Sequence, residues 1–320
     1  MRHLDGPDGR PELLVLRTLK LGDLLVAVPA LHGLRRAFPD HRLVLAMPGW
    51  LGPIIDLVEG VDAQLPVPGL DRPLPLEPGR VDVAVNLHGS GPESRARVDA
   101  LDARLAMVHH VDGVDGARSP FPRWCDDIGE RARWVRLVGA FGVPADPDEV
   151  RLLSSPRRTD VCGATVVHVG AFYESRRWPI DRFAAVAREL ERRGHRVVFT
   201  GSAAERDRAL EVARSAGLER SAVLAGEVDL AEFAALIEDA DLVVSADTGA
   251  AHLASAYARP SVVLFGPAAP EHWGPPPGPH EVLTDAGARR GDAFAATPDP
   301  AMLAVQVDDV LAAVDRVLPR

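Results

Sequence analysis

Short apolar runs alternate along this chain with stretches whose apolar positions recur every three or four residues. Leu13–Arg17 is apolar but for its last residue and ends in turn chemistry, which predicts a buried strand. Gly22–Phe38 predicts a helix stopped by Pro39 and Asp40, with a kink or late start at Pro29. Arg42–Met47 and Val81–Leu87 predict further strands, and Asp126–Phe141 a helix ahead of Val143 and Pro144. The second half repeats the logic. Thr165–Val169, Arg196–Thr200, Asp241–Ser245 and Pro260–Phe265 read as strands. Phe183, Val186, Ala187 and Leu190 mark one face of a helix over Asp181–Arg193, with Gly194 as its C-terminal stop. Leu230, Phe233, Ala234 and Ile237 mark another, capped by Asp229. A helix starts at Thr248, and Met302–Leu318 reads as a closing helix.

Near-continuous apolar strands separated by amphipathic helices predict parallel sheets covered on both faces. The alternation breaks around Ala145–Asp160, which carries prolines, serines and no period. The expected fold is α/β with two doubly wound domains. One spans residues 1–150 and the other 161–300, with a closing helix over 301–320. Pro66–Gly79, Ser119–Arg123 and Gly266–Pro279 read as loops.

Composition narrows the function classes. The net charge of −10 argues against a nucleic-acid partner, which needs a basic footprint. Lys20 is the single lysine among 36 basic residues, so any one arginine carries less information than usual. Cys125 and Cys162 form no C-x-x-C pair and no disulfide framework. The N-terminal stretch Met1–Pro7 lacks an apolar signal region. No apolar run approaches the ~20 residues that span a bilayer. The expectation is a cytoplasmic chain with at most peripheral membrane contact.

Three strand-to-helix junctions could carry chemistry, since ligands of open α/β sheets bind at the carboxyl ends of the strands. Gly22 and Asp23 follow the first strand. Gly22 allows a tight turn, and Asp23 either points into the crevice or caps the helix. A lone glycine there disfavours a dinucleotide site. Arg176 and Arg177, ahead of Trp178 and Pro179, suit an anionic ligand or are solvated arginines beside a packing tryptophan. Asp247, Thr248 and Gly249 open a helix whose free N–H groups favour phosphate, with His252 one turn on; alternatively they are a cap and a packed histidine. Glu205 could take ribose hydroxyls or start a solvated helix, and His88 could face the cleft or be structural. His109 and His110 lack a second pair at helical spacing, so no metal site is expected.

Taken in order, these pieces resemble glycosyltransferase family 9, the ADP-heptose:lipopolysaccharide heptosyltransferases. They are Leu14–Arg17 with Leu21–Leu25 and Pro29–Leu31, Asn86–Ser90, Arg176–Pro179, Asp247–Gly249 with His252, and Phe265–Pro267 with Trp273–Pro275. The resemblance implies a GT-B fold, two Rossmann-like domains facing across a cleft, with the last helix packing back toward the N-terminal domain. It implies an inverting, metal-independent glycosyltransferase. The donor is a nucleotide-diphospho-sugar such as ADP-heptose, a substrate, so no cofactor is expected. The acceptor is a hydroxyl of a glycan, a lipid-linked sugar or a small molecule.

Asp23 then matches the catalytic base, and Gly22 and His88 fall on the acceptor side. Arg176, Thr248, Gly249 and His252 fall around the donor diphosphate. Asp247 falls near the donor sugar or orders its loop, and Glu205 falls near the ribose. Three positions depart from the family pattern: Asn86 stands where Asp is common, Arg176 where Lys is common, and Glu227 where many members carry Lys. The rival readings are another GT-B enzyme using a different nucleotide sugar, an epimerase included, and a non-catalytic nucleotide-sugar-binding protein.

Overall fold

The computed structural model describes residues 3–4, 6, 8–116 and 119–318, so parts of the Met1–Pro7 stretch and the last two residues lie outside it. The chain divides into two compact units, Met1–Leu153 and Ser154–Arg320.

The first unit runs β1 (Glu12–Leu16), α1 (Leu21–Ala37), β2 (Arg42–Met47), α2 (Gly52–Ile55), β3 (Ala63–Pro66), β4 (Val81–Asn86), α3 (Pro92–Asp99), β5 (Leu105–Met107) and α4 (Glu130–Gly139). Its sheet is parallel throughout, in the order β3-β2-β1-β4-β5. β1 is buried along its whole length, which is why Leu13–Leu16 are apolar without alternation. Pro29 sits inside α1 without ending it. Gly33 lets that helix approach the segment after α4, since a Cβ there would lie 2.7 Å from Ala145 Cβ.

The second unit runs β6 (Thr165–His168), α5 (Ile180–Arg192), β7 (Val197–Thr200), α6 (Arg206–Ala216), α7 (Leu230–Glu238), β8 (Leu242–Ala246), α8 (Gly249–Ala256), β9 (Ser261–Leu264), α9 (Pro270–Trp273), β10 (His280–Leu283), α10 (Pro300–Ala304) and α11 (Val307–Val317). Its parallel sheet has the order β10-β9-β8-β6-β7. In both sheets the chain reverses its direction of strand addition once, between β1 and β4 and between β6 and β8. Such switch points open a crevice at the carboxyl ends of the strands.

The closing helix departs from the single helix expected over Met302–Leu318. It breaks into α10 and α11, because the Val305 carbonyl accepts from Trp178 Nε1 at 3.1 Å and Arg182 Nη1 at 2.7 Å. Val310, Ala313 and Val314 of α11 lie in the core of the second unit, against α5, β9 and β10. Those side chains form the helix's apolar face, and the second sheet supplies the apolar surface that covers it. Among the described residues no helix is long and apolar enough to cross a membrane.

Candidate active site

The first unit gathers its candidate residues at the β1/β4 switch. α1 begins at Leu21, so Gly22 lies within its first turn and is not the hinge of the strand-to-helix turn. Lys20 precedes the helix in extended conformation, and Asp23 Oδ2 accepts from the Lys20 backbone N–H at 3.1 Å. The capping role weighed for Asp23 is therefore present, but from the third helical position. Its other oxygen, Oδ1, lies 3.6 Å from Arg17 Nη2.

Arg17 is the residue whose role the sequence reading missed. Its side chain is 1% exposed, and it donates to the main-chain carbonyls of Asp23 and Leu87. Its guanidinium stacks over Trp134 of α4 at 4.6 Å. Burial pushes its pKa down, and Asp23 and Glu130 oppose the shift. The available signal was one charge closing an otherwise apolar strand. A buried cation needs partners, and these lie on α1, α4 and the end of β4.

His88 follows β4, half-buried beside Thr18. Its backbone N–H donates to Asn86 Oδ1 at 3.1 Å, and Asn86 Nδ2 donates to Ser94 Oγ at 3.0 Å. The departure at Asn86 thus holds a buried amide that ties α3 to this edge. His109 and His110 have different surroundings. His109 is buried between Trp124 and Trp134, while His110 Nε2 lies 3.1 Å from Asp112. Among the described residues no group of three or more His, Cys, Asp or Glu could hold a metal ion.

The second unit brings Arg176, Asp247, Thr248, Gly249 and His252 together at the β6/β8 switch. Arg176 Nη1 lies 3.0 Å from Asp247 Oδ2 and donates to the Asp247 carbonyl at 3.1 Å. Arg176 Nε is buried without a hydrogen-bond partner. Asp247 itself is buried, with His252 Nε2 3.8 Å from its other oxygen. Thr248 is the N-cap of α8, and its hydroxyl lies 2.9 Å from Ser245 Oγ. The N–H groups of Gly249 and Ala250, the first two of α8, have no acceptor within the helix, whereas Ala251 N donates to the Thr248 carbonyl at 3.1 Å. His252 is buried one turn further on, 6.4 Å from the Trp273 ring.

Two anchors shape the loop that carries Arg176. Trp178 is fully buried and packs edge-on against Phe183. Ser175 donates to the Ala293 carbonyl at 2.7 Å, and its own carbonyl accepts from Asp299 N at 2.9 Å. Asp299 is buried and accepts from the backbone N–H groups of Arg290, Gly291 and Ala301. The sequence reading missed Asp299; its only local signal is an Asp-Pro step before a helix.

Glu205 stands at the same sheet edge, beside Gly170. A Cβ on Gly170 would lie 2.3 Å from Glu205 Oε2. That oxygen accepts from the Ser202 N–H at 2.7 Å and pairs with Ser202 Oγ at 2.8 Å, so Glu205 is also a helix-start residue. Glu227 pairs with Arg206 at 2.5 Å and is half-exposed.

An arginine fork, a hydroxyl and a helix N-terminus at one switch point have the chemistry to hold a phosphate, and a carboxylate at the other switch point has the chemistry to accept a proton. The sequence model described as glycosyltransferase family 9 (heptosyltransferase) matches residues 158–285. Lipopolysaccharide heptosyltransferase 2 of Salmonella typhimurium is 34% identical, over 81% of this chain and 84% of the relative. Two solved structures share the fold. One is the glycosyl transferase family 9 protein of Veillonella parvula, with TM-score 0.78, 18% identity and 97% of each chain covered. The other is the ADP-heptose lps heptosyltransferase II of E. coli, with TM-score 0.77, 20% identity, and 96% of this chain and 98% of that one covered. The chain belongs to glycosyltransferase family 9 and has its GT-B fold. It is a glycosyltransferase.

Proposed function

We propose that this enzyme moves heptose from ADP-heptose, with inversion, to a hydroxyl of a glycan, a lipid-linked sugar or a small-molecule acceptor. Lipopolysaccharide is the first acceptor to try, because the Salmonella relative is named for it. The observation that carries the reading is the Arg176–Asp247–Thr248 corner at the start of α8. A diphosphate there meets a cation, a hydroxyl and helix N–H groups.

Asp23 takes the proton of the acceptor hydroxyl as its oxygen attacks the anomeric carbon. The bond from that carbon to the ADP oxygen breaks, and ADP leaves with the electron pair. Arg176 and the α8 terminus offset the charge that grows on the leaving diphosphate. The reaction needs no divalent ion on this reading, since these groups supply the positive charge. Asp247 holds Arg176 in place, His252 acts through Asp247, and Glu205 accepts from the ribose hydroxyls.

A thermal-shift panel of ADP, UDP and GDP tests the donor. A ligand at 100 times its dissociation constant adds about 2.7 kcal/mol, which moves the melting temperature measurably. The expected result is a shift with ADP that exceeds those with UDP and GDP. A larger shift with UDP or GDP would replace ADP-heptose with another nucleotide sugar.

A further inference from the structure

His88 stands where its ring can do only one thing. The Thr18 backbone N–H donates to His88 Nδ1 at 3.2 Å, and Thr18 Oγ1 lies 3.1 Å from the same nitrogen. A backbone N–H can only donate, so Nδ1 is the unprotonated nitrogen and the ring proton sits on Nε2. The side-chain hydrogen bonds of His88 to the described residues both fall on Nδ1, which leaves Nε2 without one. The ring is held neutral: burial pushes its pKa down, the Arg17 charge adds to this, and Asp23 opposes it.

Arg17 sets the distance between this N–H and Asp23. It grips the carbonyl of Asp23 itself and that of Leu87, the residue before His88. Leu87 N also donates to the Leu16 carbonyl at 3.1 Å, and Asn86 Oδ1 receives the His88 N–H. The turn carrying His88 is thus fixed from both sides, at the edge where Asp23 emerges.

We propose that His88 is a specificity-determining residue of the acceptor side, its Nε2–H donating to an acceptor oxygen next to the hydroxyl that Asp23 deprotonates. This rests on the reading of Asp23 as the base. It also names an acceptor class. Asp23 accepts from one hydroxyl and His88 donates to a second oxygen, so the pair fits a sugar diol. A lone alcohol engages only one of the two, and a neutral ring offers no charge to select a phosphate.

Two substitutions separate this role from a structural one. His88→Gln places an amide donor near the position of Nε2, whereas His88→Asn places an amide oxygen near Nδ1 and keeps only the Thr18 contact. Steady-state kinetics would use ADP-heptose with O-deacylated core lipopolysaccharide as the acceptor probe. His88→Asn is expected to raise the acceptor KM roughly tenfold, the loss of one neutral hydrogen bond, with the dissociation constant for ADP unmoved. His88→Gln is expected to recover most of that loss. The reverse order, Asn harmless and Gln impaired, would mark the Thr18 contact as the whole role and overturn the proposal. If the wild-type chain does not glycosylate the probe, the lipopolysaccharide acceptor has failed, and nitrogen NMR of the His88 ring decides. A neutral Nε2–H ring at pH 7 keeps the proposal; an Nδ1–H or charged ring ends it. Full turnover by Asp23→Asn would remove the base reading, and is seen separately from either result.

Discussion

Arg176 Nη1 lies 3.0 Å from Oδ2 of Asp247 and 3.1 Å from that residue's carbonyl oxygen, so one guanidinium closes the two loops at the β6/β8 switch. The cation is held by a buried carboxylate, which fixes the orientation of its remaining N–H groups.

Arg176→Ala should therefore weaken ADP far more than adenosine. A charge-assisted hydrogen bond contributes about 1.5–3 kcal/mol, which predicts a roughly 10–100-fold loss of ADP affinity. Titration calorimetry with both ligands measures the difference. Equal weakening would contradict contact with the diphosphate.

Asp23→Asn keeps the size of the side chain and the contact with the Lys20 N–H but removes the proton acceptor. Turnover should fall by about 10²–10⁴-fold, the usual contribution of general base catalysis. ADP binding should stay at its wild-type value, because Asp23 belongs to the first unit's edge. A variant that turns over normally would exclude Asp23 as the base.

Gly170 and Glu205 are coupled by contact. Gly170→Ala puts a methyl group 2.3 Å from Glu205 Oε2, which is pinned by the N–H and hydroxyl of Ser202. The substitution should lower nucleoside affinity several-fold by moving the carboxylate. In a Glu205→Ala background the same change should do almost nothing, since neighbouring residues are non-additive. Additive losses in the double mutant would separate the two positions.

His109 predicts a pH dependence of the first unit's stability. It is 1% exposed, neither ring nitrogen has a hydrogen-bond partner, and burial with the nearby Arg136 and Arg133 pushes its pKa to about 4 from 6.5. As pH falls, the unfolded chain takes up the proton first. The stability is therefore complete above pH 6.5 and is lost progressively as pH drops toward 4, by about 2 kcal/mol between pH 7 and pH 5. His109→Phe keeps the aromatic contacts with Trp124 and Trp134 and removes the titration. Denaturant unfolding at both pH values should show a smaller pH 7-to-5 loss in this variant. An unchanged loss would assign the pH dependence to other groups.

Much of the architecture was legible locally. Strands such as Leu13–Leu16 and Leu43–Met47 are apolar without alternation because both faces are covered, and that run survives in the one-dimensional sequence. Asp23, Arg176 and Thr248 were legible for a related reason: residues just after parallel strands emerge at one sheet edge, whatever the strand order. β3, β5 and β10 were not, being short segments of mixed composition that pair only because a neighbouring strand offers its edge.

The sequence by itself determined two α/β units and which junctions lie at the carboxyl ends of the strands, because hydrophobic period and turn chemistry act over a few residues. Tertiary structure alone decided what those junction residues do. Arg17 meets Leu87 across 70 positions, His88 meets Thr18 across 70, and Arg176 meets Asp247 across 71. The clamp on Asp23, the tautomer of His88, the partner of Arg176 and the break at Val305 all follow from such meetings. No local pattern encodes them, because each exists only once the switch-point strands lie side by side and the buried polar groups must find their partners there.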